Sequence, residues 1–329
     1  MREVGLFTSP SQQSFRRFNR APSIQGGCMR SLAVAAVIAC ALPTAFAEEF
    51  PAASLMSDIQ MSKTQCSAQP RSVWVEADGR GDCIRYYTAG LDAQANDKAI
   101  IYIHGDRLWG DKPISYDDNS SQAQEENVKK MQGELGLPVI VVARPGTYGS
   151  SGSHAHRREH RELVLMKAAV EEIIHRHGIA KVGLTGQSGG GTVTSYVMGQ
   201  LPGIQCVALT SAALSMKYIV AQDPQSIYDR GNTDLYDPIS NLNDVLPSSV
   251  RKLFVIGAEG DKFSPFGNQK AYAQALKGRG YEVYVAEGEP TGTYKHTLDR
   301  TGRQTVAWCV NSVPPEAILE KIKARLIKG

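Results

Sequence analysis

One serine stands out by its setting. In Leu184-Thr185-Gly186-Gln187-Ser188-Gly189-Gly190-Gly191, Ser188 is the centre of a Gly-x-Ser-x-Gly run. Ala180–Gly183 ahead of it reads as a short buried strand, and Thr192–Met198 behind it as a helix. Strand, tight turn and helix form the context in which this motif exposes a serine hydroxyl at a strained bend. Gly186 and Gly190 keep Cβ atoms away from backbone at the bend. The free N–H groups of the following helix face the same point. A serine hydroxyl is a poor nucleophile until a base takes its proton. His296, in Gly288–His296, is the only histidine that follows Ser188.

These residues and their order resemble the α/β-hydrolase superfamily, with some similarity to its serine esterases and lipases. The resemblance implies a mostly parallel central sheet with helices on both faces and a short lid insertion. It implies a triad in the order Ser188, Asp261, His296. An acid is expected in the loop after Lys252–Gly257, where Asp261 fits and Glu259 competes. The resemblance also implies an oxyanion hole made by the backbone N–H groups of Gly189 and Asp106, the latter in His104-Gly105-Asp106 after a buried strand. The side chain of His104 reads as structural. No metal or organic cofactor is implied.

The elements that must position these groups follow in order. Ser72–Glu76 and Cys83–Tyr87 alternate at period two around Asp78-Gly79-Arg80-Gly81, a hairpin signal. Ala99–Ile103 is a continuous apolar run of the kind buried on both faces of a parallel sheet. Asp117–Gly136 has helical composition, and Leu137–Ala143 reads as a strand. Arg144–Gly152 is a glycine-rich loop without the ending of a phosphate-binding loop. Its Pro145 departs from the Arg-Gly-x-Gly-x-Ser-like loop of similar hydrolases, and it reads as a tight loop under the site. Helix Glu159–His177, strands Gln205–Thr210, Lys252–Gly257 and Tyr281–Val285, and helices Asn268–Lys277, Thr305–Asn311 and Pro314–Lys328 complete the pattern. The stretch about Ala212–Val250 takes the lid position, and its Tyr218, Tyr228 and Tyr236 are candidates for the substrate pocket or for lid packing. Tyr236–Leu242 resembles a segment of prolyl-oligopeptidase-like and dienelactone-hydrolase-like members.

His154, His156 and His160 raise the question of a metal site, but their spacing is wrong for a dinuclear zinc pattern and Arg157 and Arg158 would oppose a dication. Residues 1–47 read as a secretory leader: Arg30, the apolar run Leu32–Leu42, and an Ala-x-Ala site ending at Ala47. The run is too short for a membrane span. Met29 is a candidate start, and Val37–Cys40 offers a second, lipoprotein-type cleavage site. Of the chain's 36 basic and 33 acidic side chains, five and one lie in that leader, leaving 31 and 32. The remainder has no basic run to suit nucleic acid. Its four cysteines suit an oxidising compartment. Cys66–Cys83 is the expected bridge, while Cys206 and Cys309 could pair or stand as small core residues. The expectation is therefore a single exported domain, 48–329, hydrolysing small-molecule esters, with no stable membrane insertion. A serine peptidase and a non-catalytic binding protein of the same fold are the alternatives.

Overall fold

The computed structural model describes residues 49–92, 96–216, 234–292 and 294–326. The expected leader, Tyr218 and Tyr228 lie outside the described residues. Strands β1 (Ser72–Ala77) and β2 (Arg80–Ala89) pair antiparallel, with Ala77 opposite Arg80. Between them Asp78 and Gly79 take φ values of 52° and 73°. Two positive φ angles make the mirror-image turn whose twist suits a two-residue hairpin.

The central sheet has eight strands. It combines that hairpin with β3 (Asn96–Ile103), β6 (Val139–Val142), β7 (Ile179–Gln187), β8 (Cys206–Thr210), β9 (Lys252–Gly257) and β10 (Val283–Glu287). Their order is β1-β2-β6-β3-β7-β8-β9-β10. From β6 onward neighbours run parallel, and β2 meets β6 antiparallel. A small hairpin, β4 (Leu108–Trp109) with β5 (Lys112–Pro113), stands apart from it.

Each face of the sheet carries its own core because strand side chains alternate. Ala99, Ile101 and Ile103 of β3 pack with residues of α3 (His160–Arg176), α4 (Gly189–Gln200) and α5 (Phe266–Lys277). Ile100 and Tyr102 pack on the opposite face with α2 (Ser121–Leu135), α6 (Asp299–Val310) and α7 (Pro315–Leu326). The expected mostly parallel sheet covered on both faces is present. Helix α6 begins at Asp299, six residues before the Thr305 expected. Gly302, in the first turn, lets α6 lie against the sheet. A Cβ on it would stand 2.6 Å from Thr185 Oγ1 and 2.7 Å from Thr210 Cγ2.

Two disulfides tie elements to the sheet. Cys66–Cys83 links α1 (Lys63–Ala68) to β2, with Cα atoms 5.4 Å apart. Cys206–Cys309 links the first residue of β8 to α6, with Cα atoms 5.8 Å apart. Cys206 and Cys309, left open by the sequence, are thus a pair. The bridges span 17 and 103 residues respectively. On chain-entropy grounds these correspond to about 3 and about 4.7 kcal/mol. The double variant Cys206→Ala/Cys309→Ala is expected to lose more stability in guanidinium unfolding than Cys66→Ala/Cys83→Ala. An equal or reversed order would show that native-state packing, rather than loop closure, decides the contribution.

Candidate active site

The bend at Ser188 is built from contacts that only glycine permits. Ser188 has φ 55° and ψ −125°, a backbone conformation costly for a residue with a side chain. Its N–H donates to the carbonyl of Thr210 at 2.9 Å, and its carbonyl accepts the N–H of Gly191 at 2.8 Å. A Cβ on Gly186 would lie 2.3 Å from the carbonyl oxygen of Gly190. One on Gly190 would lie 2.3 Å from that of His104, and one on Gly191 would lie 2.4 Å from Ala212 Cβ. The Gly-x-Ser-x-Gly spacing is therefore a packing requirement between β7, α4 and the loop after β3.

His296 and Asp261 reach the same place from two other loops. His296 Nδ1 lies 3.0 and 2.9 Å from the two carboxylate oxygens of Asp261. The carboxylate is fully buried, and its Oδ1 also accepts the backbone N–H groups of Phe263 and Ser264 at 2.9 and 3.0 Å. An acceptor-only partner fixes the proton on Nδ1 and leaves the lone pair on Nε2. Glu259, the competing acid, is exposed and paired with Lys270 at 2.8 Å. Ser188 and His296 both line a cleft of about 920 Å³ at the ends of the parallel strands.

Gln187, the first of the motif's two variable residues, anchors the loop that carries His296. Its Nε2 donates to the carbonyl of His296 at 2.7 Å, and its Oε1 accepts from Leu298 N–H and the Thr210 hydroxyl at 3.1 and 3.0 Å. No sequence pattern marks this role.

The third wall is the loop Gly105–Arg107. Gly105 packs against the Ser188 turn, where a Cβ would sit 3.2 Å from the carbonyl oxygen of Gln187. His104 is buried; its Nδ1 donates to the Gly105 carbonyl at 2.7 Å and its Nε2 faces the Thr147 hydroxyl at 3.1 Å. This is the structural role the sequence suggested. The Asp106 side chain does something the sequence did not reveal. Its carboxylate is held by Arg144 at 2.8 Å, Arg158 at 2.9 Å and Arg157 at 3.5 Å. Burial alone would raise its pKa, but Arg158, Arg144 and Arg157 outweigh that and hold it far below the usual carboxylate range. Arg144, fully buried, is also bidentate to Glu162 of α3 at 2.8 and 2.9 Å. Asp106 Oδ1 stands 2.1 Å from where a Cβ of Gly189 would be, which accounts for a glycine directly after Ser188. The glycine-rich loop Arg144–Gly152 is buried under the site, with positive φ at Gly146, Gly149 and Gly152.

Other candidate residues fall elsewhere. Tyr236 does not line the cleft. It is buried in the core, with its ring on Tyr196 and its hydroxyl donating to Asp244 at 3.2 Å. An aromatic ring gains more from that core than from a wet wall. Asp237, in the segment similar to peptidase-like members, accepts from Met216 N–H at 2.8 Å and the Ser240 hydroxyl at 2.6 Å. His154 is buried and accepts the Arg107 N–H at 3.0 Å, His156 is exposed and pairs with Glu159 at 2.9 Å, and His160 packs on Tyr196. Among the described residues no group of three metal-ligating side chains converges. What the sequence missed in the cleft is an aromatic wall. Phe263 contacts His296, Trp109 and Tyr294, with ring centroids 5.2, 4.8 and 4.9 Å away.

Among solved structures the chain is similar to the acylaminoacyl peptidase of Pyrococcus horikoshii, at 16% identity and a TM-score of 0.52 over 76% of this chain and 44% of that one. It thus spans less than half the length of that peptidase. It is also similar to the esterase Pf2001 of Pyrococcus furiosus, at 14% identity and a TM-score of 0.50 over 81% of this chain and 97% of that one. No family model matches the sequence, and no curated protein does. The chain has the α/β-hydrolase fold.

Two outcomes follow from this geometry. A methyl group at Gly190 meets backbone on two sides, at His104 O and Ile103 O, so Gly190→Ala is expected to cost more than about 4 kcal/mol or to prevent folding. A soluble variant with unchanged melting would show that the loop can yield. The second outcome concerns acid. Burial, reinforced by Arg107 and Arg144, lowers the His104 pKa well below its usual value, and burial with Arg144 does the same to His154. The unfolded chain then binds protons that the native state refuses. Stability is full above about pH 6.5 and falls by about 1.4 kcal/mol per pH unit for each such histidine as pH drops. The Asp106 contribution is present above about pH 4 and is lost only below it. Urea unfolding at pH 7 and pH 5 is expected to show this loss, and His154→Gln to reduce its slope. An unchanged slope would remove His154 from the account.

Proposed function

We propose that this chain is a serine hydrolase that cleaves carboxylic esters through an acyl-enzyme on Ser188. The observation that carries the reading is the Asp261–His296 pair facing the same cleft as a serine held at a strained strand–helix turn. In the reaction, Ser188 Oγ adds to the ester carbonyl carbon while His296 Nε2 takes its proton. Asp261 holds the imidazole and stabilises its charged form. The negative oxygen of the tetrahedral intermediate is received by the backbone N–H groups of Gly189 and Asp106, each such donor typically contributing about 3 kcal/mol. His296 returns the proton to the departing alkoxide, which leaves as the alcohol. Water, deprotonated by the same nitrogen, then releases the acid and restores Ser188. The chemistry of this donor set calls for no metal.

The ion-paired Asp106 side chain gives the oxyanion loop its rigidity. A donor fixed before reaction costs no reorganisation when charge develops. A peptidase reading stands second, supported by the likeness to the acylaminoacyl peptidase. Export is part of the proposal, supported by the leader pattern and by two disulfides. Among the described residues no helix is long and apolar enough to cross a membrane.

Initial rates on p-nitrophenyl esters and aminoacyl p-nitroanilides, with Ser188→Ala as blank, test the reading. Ester turnover that vanishes in Ser188→Ala, with Ser188 labelled by a fluorophosphonate, is expected. Comparable turnover of the anilides would move the assignment to peptidase. A folded protein that neither turns over an ester nor reacts with the fluorophosphonate would be a binding protein of this fold.

A further inference from the structure

The cleft carries two features that the triad does not use. One is the wall formed by Trp109, Phe263 and Tyr294. Trp109 is 41% and Tyr294 56% exposed, so large aromatic faces stand open to solvent beside the nucleophile. Contiguous exposed rings in a cleft mark a place for an apolar or aromatic group. Phe263 touches both His296 and the two outer rings, so the wall starts at the group that protonates the leaving alcohol.

The other feature is positive charge. Arg107 lines the cleft next to Asp106, and its backbone is pinned on both sides. Its N–H donates to His154 Nε2 at 3.0 Å, and its carbonyl accepts the Ile114 N–H at 3.0 Å. Its guanidinium lies half-buried over the Tyr148 ring, 5.6 Å from the centroid, with Nε buried and without a partner. Among the described residues no carboxylate pairs with Arg107 or with Lys112, which stands opposite Trp109 in the β4–β5 hairpin. The two acids that also line the cleft are already engaged: Asp106 by three arginines, Asp299 by Arg303 at 2.6 Å. The Tyr102 hydroxyl in the cleft lining bonds to no other described residue, and burial first, then Asp299, raises its pKa, so it stays a donor. A half-buried guanidinium without a counter-ion is costly in an empty site and favourable in an occupied one.

From this juxtaposition we propose that the substrate is an ester of an aromatic alcohol bearing an anionic substituent, its ring stacked on Trp109, Phe263 and Tyr294 and its anion received by Arg107, with Lys112 and Tyr102 in support. The inference rests on the serine-hydrolase reading and names its substrate class. Trp109 of the ring wall and both cations, Arg107 and Lys112, share one short segment, so that loop contributes to both preferences.

The test compares 4-carboxyphenyl butyrate with 4-(methoxycarbonyl)phenyl butyrate, each kcat/KM divided by that ester's hydroxide-catalysed rate. Hydrolysis of either gives butyrate and the free phenol, which is read by absorbance. The carboxylate ester is expected to be favoured by about tenfold or more. That ratio should shrink in Arg107→Gln and, to a lesser degree, in the surface variant Lys112→Gln, and should fall as salt is raised to about 0.5 M. Equal corrected rates in the unaltered protein overturn the proposal, as does a preference that survives both substitutions and salt. Silence on both esters with Ser188 still labelled by the fluorophosphonate overturns the substrate class alone. Silence together with an unreactive Ser188 overturns the hydrolase reading beneath it.

Discussion

The crowding around Ser188 is the constraint on which the rest of the site depends. Three glycines, at 186, 190 and 191, stand where any side chain would collide with backbone or with Ala212. Their absence of Cβ atoms lets β7, α4 and the loop after β3 approach more closely than ordinary packing allows. That approach forces Ser188 into the positive-φ region, and the hydrogen bond from its N–H to Thr210 fixes it there against β8. Such strain persists only when its surroundings over-determine it. The two long cores on either face of the sheet supply that determination.

A second layer is electrostatic. Arg144 has no solvent exposure and spans Glu162 on α3 and Asp106 on the loop beside Ser188. Burying this many charges is expensive, and an apolar replacement of the set could be equally stable. What the ions give that apolar groups could not is direction. A guanidinium fork fixes two carboxylates in angle as well as distance. The loop bearing Asp106 is thereby tied to helix α3 rather than left to float at the surface.

Much of this was legible in the chain. The apolar runs of β3, β6, β8 and β9 and the hairpin β1–β2 are local patterns, and local patterns are what a sequence displays. The Asp106 side chain was not legible, because its three partners come from residues 144, 157 and 158 and only the fold brings them together. Gln187 was hidden for the same reason: its contacts lie more than twenty residues away, at Thr210, His296 and Leu298. Tyr236 was left open between pocket and packing because an aromatic residue near a lid position suits both, and burial depends on Tyr196 and Asp244 opposite it. The first turn of α6 went unread because the fit of Gly302 depends on Thr185 and Thr210 of the strands behind it, which the local sequence does not display.

The bridge between Cys206 and Cys309 has a consequence for damage. It closes a circuit of the chain that contains both Asp261 and His296, while Ser188 lies outside it. One cut in the backbone between Cys206 and Asp261 would divide the chain into a piece with Ser188 and a piece with Asp261 and His296. The two pieces would stay covalently joined through β8 and α6, which sit side by side beneath the cleft. In a compartment shared with proteases, such a nick would leave the three groups on one molecule with their shared strand neighbours intact.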